Sequence, residues 1–145
     1  VSDKYTTWED NIASVLQTEL GATYLVTNDE SVNCAAGTKV YIVLIQWVTE
    51  NTRLDDGTTC FDSARQTFRL ILTPLSGVTP SKANEQLNIM TDAVQGVLRD
   101  YSKVNSSTVG GGYTITEINV ESMEKGYFNK RASVRMFLSF LADGS

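Results

Sequence analysis

Few side chains in this sequence could do chemistry, and the commonest of them is missing. The chain contains no histidine. That removes the usual general base, the usual metal ligand and every Ser-His-Asp or Cys-His arrangement. Adjacent carboxylates occur at Asp29-Glu30 and at Asp55-Asp56. The first pair reads as a solvated turn, because a calcium site needs more oxygen ligands at ordered spacing. The second sits on a turn, without an apolar pocket to push two carboxyl pKa values apart. Cys34 and Cys60 fall in polar stretches. Two thiols make neither a disulfide framework nor a metal site, and they read as free and intracellular. Gly110-Gly111-Gly112 precedes a strand rather than a helix, and no GK[ST] accompanies it. It reads as a flexible connector, not a phosphate cradle. The expectation is a protein without catalytic site, cofactor or metal; the catalytic alternative is a small enzyme using carboxylates alone.

The arginines form a second group. Side chains at even spacing along a strand share a face. Arg65 and Arg69 therefore share one face of a predicted strand, and Arg131 and Arg135 one face of another. Arg53 stands near Asp55 and Asp56 around a turn. These seven residues are the candidate interaction residues. The acidic residues of the predicted strand 113–122 can pair across strands with the basic row of 130–141. Such pairing fits better than a nucleic-acid patch, since the net charge of −5 opposes broad phosphate binding.

The elements that must position these residues are legible in the apolar pattern. The chain has 145 residues, 41% hydrophobic and 20% charged, a composition for one globular domain with a real core. Residues 6–20 read as an amphipathic helix, with Thr6 and Glu9 as a capping box and Gly21 closing it. Trp8 is its first anchor against a sheet. Residues 22–27 form a short strand. Residues 40–48 are apolar on both faces, with Val40, Ile42, Leu44 and Val48 on one side. They pair with 63–72 as a long hairpin, whose tip carries Asp56-Gly57 and could project as an arm over 51–59. Thr79-Pro80 opens a second helix that runs to about Tyr101, with Gln86 outside and Gly96 marking a close approach to the sheet. In the strand 113–122, Ile118 and Val120 share a face and Ile115 lies opposite. Glu124-Lys125-Gly126 is the turn into the last strand, 130–141. No apolar run approaches the ~20 residues of a membrane span, and no signal-peptide pattern is visible. The expected fold is α+β: a two-layer domain, its mostly antiparallel sheet built of long hairpins, with two helices packed on one face.

This layout resembles the tail terminator and tail-completion (neck) proteins of tailed bacteriophages. The resemblance is carried by WEDNIASVLQTEL, by YIVLIQWV with TFRLILTPL, by ANEQLNIMTDAVQGVLRDY, and by YTITEINVES with RASVRMFLSFL. It spans nearly the whole chain and rests on the order of elements rather than on required residues. It implies a structural virion protein forming a homo-oligomeric ring, a hexamer by expectation. The ring would cap the tail tube, meet the head connector or adaptor protein, and let DNA pass through its bore without specific binding. Alternatives are a head-closure or connector-adaptor protein of the phage neck, and a monomeric ligand-binding α+β domain.

Overall fold

The computed structural model describes residues 3–30, 40–52, 63–100, 104, 109–128 and 130–143. Helix α1 spans Lys4–Leu20, and strand β1 spans Tyr24–Thr27. Strands β2 (Tyr41–Thr52) and β3 (Ser63–Thr73) form the first hairpin. Helix α2 spans Pro80–Leu98, and strands β4 (Thr114–Phe128) and β5 (Arg131–Asp143) form the second hairpin. Among the described residues, one sheet takes five strands in the order β1-β2-β3-β5-β4. Only β1 and β2 run parallel; the other neighbours are antiparallel. The fold is the expected two-layer α+β arrangement.

Both helices begin where side chains satisfy orphan backbone donors. The cap of α1 is Asp3, whose carboxylate accepts from the Thr6 N–H at 2.7 Å and from the Thr6 hydroxyl at 3.0 Å. The expected capping box is thus one turn late, and Glu9 is free for another task. Gly21 closes α1 at φ +87°, its N–H donating to Gln17 O. Thr79 caps α2, with Pro80 at its first turn as read from the sequence. Gln86 is not on the outside. It is buried, and its Oε1 accepts from the Leu75 N–H at 3.2 Å. Gly96 faces open space, so no close approach explains it.

The core lies between the helices and one face of the sheet. Trp8, Ile12 and Leu16 of α1 and Leu87, Met90 and Val94 of α2 meet Val43, Ile45, Phe68, Leu70, Met136 and Phe140. Fully burying side chains of this size contributes about 1.5–3 kcal/mol each. Trp8 stands edge-on to Phe140 and Tyr113, and its Nε1–H donates to Gly110 O at 3.1 Å. Asn11 fixes Val109 O in the same way. The start of the triglycine is thus pinned onto α1 by hydrogen bonds to the carbonyls of Val109 and Gly110. Gly111 (φ +57°) and Gly112 (φ +99°) make the turn there.

Three register shifts redirect side chains that strict alternation would misplace. In β2 the shift between Trp47 and Thr49 pushes Val48 out to 43% exposure and brings Glu50 to the helix side. In β4 the register shifts twice, between Thr116 and Asn119 and between Val120 and Ser122. Glu117 sits at φ +50° in the first of these. Ile115, Ile118 and Val120 then all meet the core, instead of splitting between two faces. The expected turn at 124–126 is continuous strand; Phe128 pairs with Arg131, and Lys130 in the reversal has φ +64°.

Candidate functional site

Four of the seven candidate residues gather on the sheet face opposite the helices. Alternation from the core-facing Phe68 and Leu70 puts Arg65 and Arg69 of β3 on that side. Alternation from Val134 and Met136 puts Arg131 and Arg135 of β5 there too. The register sets Arg135 beside Ile71, Arg69 between Gln46 and Phe137, and Arg65 between Asn51 and Leu141. Arg53, Asp55 and Asp56 lie outside the described residues, as do Cys34, Cys60 and the body of the expected arm.

Most of this arginine row is held by its own chain. Arg65 forms an ion pair with Glu117 of β4 at 2.5 Å and donates to the Ser139 hydroxyl at 3.2 Å. Ser139 in turn donates to Glu121 Oε1 at 2.7 Å. Arg69 donates to Gln46 Oε1 at 2.5 Å, and Gln46 donates to Glu30. Arg131 donates to Pro74 O at 2.7 Å, and burial pulls its pKa down. Arg135 is exposed, directly across from Glu124 of β4. Opposite charges do meet across strands, but the ion pair reaches from β3 over β5 to β4. Ile42, Leu44 and Ile71 are buried among these polar groups. Two buried polar atoms on this side, Arg69 Nε and Thr73 Oγ1, have no hydrogen-bond partner among the described residues.

A second polar cluster, absent from the sequence reading, joins α1 to the sheet. Glu50 Oε1 accepts from Gln66 Nε2 at 2.7 Å and from the Tyr5 hydroxyl at 3.3 Å, with Lys4 Nζ at 3.6 Å. Gln66 Oε1 accepts from the Trp47 indole at 2.8 Å. The Gln66 hydrogen bond is the main cause holding the Glu50 carboxyl below its ordinary range; Lys4 adds to it, against the opposing effect of burial. Beside it, Glu9 Oε2 accepts from the Trp47 backbone N–H at 2.6 Å. Strand β1 has already ended there, its Thr27 pairing with Leu44. The carboxylate thus takes the place of a strand partner.

The two flanks of the sheet differ. Gln17 reaches from α1 along β1, donating to Tyr24 O at 2.8 Å and accepting from the Val26 N–H at 3.0 Å. A side-chain amide so occupies backbone groups of β1 and blunts that edge. On the other flank, residues 121–127 of β4 are all exposed, with Tyr127 at 78% and Met123 at 40%. A groove of about 330 Å³ runs between this stretch and α2, lined by Asn88, Asp92, Gln95, Met123, Lys125 and others. Among the described residues, no group of three acidic, cysteine or histidine side chains is placed to hold a metal ion. This arrangement can dock and pair; the carboxylates of Glu9, Glu50, Glu117 and Glu121 are engaged in hydrogen bonds or ion pairs with neighbouring groups. The chain matches no protein-family model and no curated protein.

Proposed function

We propose that this chain is a structural subunit of a tailed-bacteriophage virion, assembling as a ring at the head-proximal end of the tail. In this role it caps the tail tube and joins it to the connector or adaptor protein, and the bore passes DNA without binding it. The ring copy number in this reading is six. The observation that carries the proposal is the two-layer build. Helices cover one side of a five-stranded sheet, and the other side carries a row of arginines, held by the Glu117 carboxylate at Arg65, by the Gln46 amide at Arg69 and by the Pro74 carbonyl at Arg131. A face with arginines on β3 and β5 beside carboxylates on β4 suits a head-to-tail contact that repeats around a closed ring. Long hairpins at the head-proximal end would give each subunit reach along the tail axis. The order of helix, strand, hairpin, helix and hairpin is also that of the resemblance described above.

The test is electron microscopy of the purified protein mixed with isolated tail tubes and, separately, with portal complexes. Rings seated on tube ends are the expected result. Binding to portals but not to tubes would reassign the chain to head closure. A protein that binds neither, and stays monomeric at high concentration, would defeat the virion reading. Reversing the exposed charge with Arg135→Glu should reduce ring formation while leaving the circular dichroism spectrum unchanged.

A further inference from the structure

We infer that residues 122–128 of β4 are a self-pairing edge, through which two copies of this chain join their sheets about a twofold axis. The inference does not depend on the ring proposal. It starts from an asymmetry between the two ends of the sheet. The β1 edge is short and occupied by the Gln17 amide. The first half of β4 is protected by two register shifts and by Glu117 and Glu121, devices that turn away an incoming strand. The second half lacks such shifts. Residues 122–128 pair one for one with 131–137 of β5, and residues 122–127 are exposed. An antiparallel strand has an outward row of backbone donors and acceptors that a further strand can complete. With one open edge among the described residues, the contact that leaves no edge over is the edge with itself.

The sequence of that stretch suits this contact in one register. For the two sheets to be continuous, facing residues must point to the same side. Centring the pair on Lys125 sets Met123 of each copy opposite Tyr127 of the other. These are among the exposed large apolar side chains of the protein, and they meet twice. The same register sets Ser122 opposite Phe128 and Glu124 opposite Gly126. Like charges meet only at the axis, where Lys125 faces Lys125. Each of these side chains is drawn back towards α2, with Nζ donating to Asn84 Oδ1. Facing lysines weaken the pair, and a contact seven residues long belongs to the small, reversible class of interface. The structure therefore assigns a weak dimer, strengthened by salt and limited by Lys125.

The test uses the full chain with Cys34→Ser and Cys60→Ser. Directly opposed residues on neighbouring antiparallel strands lie within the span of a disulfide. Lys125→Cys should therefore cross-link with itself under mild oxidation. Met123→Cys should not, except when mixed with Tyr127→Cys. Light scattering over a concentration series should show a dimer that Met123→Lys with Tyr127→Lys weakens by about tenfold, since two cross-strand pairs are lost per dimer. Lys125→Thr should tighten it. These side chains are exposed, so circular dichroism should report an unchanged fold. Failure of Lys125→Cys to cross-link in the folded protein overturns the inference. So does self-association that ignores the double lysine substitution; a ring-sized species of that kind would support the ring proposal while refuting this edge. Absence of binding to tail tubes would count against the ring alone.

Discussion

Glu9 is expected to act as a strap between α1 and the sheet, and its removal is the most direct test of how this domain is held together. Its carboxylate accepts from the Trp47 backbone N–H at 2.6 Å, at the point where β2 has outrun β1 and the register shifts. Glu9→Ala leaves that N–H with no acceptor in a partly buried position. An unmet buried donor costs about 1–3 kcal/mol, with the upper part of the range reserved for bonds to charged groups. For 145 residues the unfolding entropy is roughly 0.3 kcal/mol/K, so the melting temperature should fall by about 3–10 °C. Glu9→Gln keeps an acceptor oxygen at the same reach and loses only the charge, so it should recover more than half of that loss. Thermal unfolding followed by circular dichroism, with urea titration as a second measure, reads both variants. An alanine variant within about 0.5 kcal/mol of the parent would refute the strap. So would a glutamine variant no better than alanine, since the acceptor would then have no role of its own.

Three further expectations follow from the same geometry. Glu50 has a folded pKa below its ordinary value of 4.5, chiefly through Gln66. Its contribution is present above that value and is lost as pH falls through the lowered one. The stability gap between the parent and Glu50→Gln should therefore be widest at neutral pH and close in acid. A gap independent of pH would show that the charge is not the cause. Gly96 is helical and faces open space, so Gly96→Ala should stabilise by about 0.5–1 kcal/mol; a loss in urea unfolding would mean an unrecognised neighbour. Gly111 has φ +57°, and an added Cβ would lie 3.2 Å from Thr7 Cγ2. Gly111→Ala should cost at least about 1–2 kcal/mol from the left-handed backbone alone, and a neutral result would contradict the pinned turn.

The apolar pattern of the sequence was enough for the layers, the helix stripes and the hairpin pairing of β2 with β3. Burial is read from side-chain type and period, and both are local. Register shifts are not local in that sense. Glu117 and Val48 look like ordinary members of alternating runs, so Ile115 was expected on the wrong face and Glu50 was not seen as a partner for Lys4 and Tyr5. Glu9 failed for a related reason. A threonine three residues ahead of a glutamate is a sound capping pattern, but Asp3 competes for the same turn and wins it. The arginine face was half legible. Period two put Arg65 with Arg69 and Arg131 with Arg135, yet their common side required knowing that β5 lies next to β3.

That insertion has a consequence for how the protein is made. Strand β5 follows β4 in the chain but sits between β4 and β3, pairing with both. As the polypeptide leaves the ribosome, β2 and β3 can close early, because they are near in sequence. The outer flank of β3 then stays unsatisfied through the synthesis of α2 and β4, which cannot fill it. Val134, Met136, Leu138 and Phe140, which complete the apolar layer, all arrive with the final strand. A nascent chain stalled before β5 should therefore hold a sticky, half-built sheet. Any domain swap between growing copies would start from that interval, with one molecule's β5 completing another's sheet.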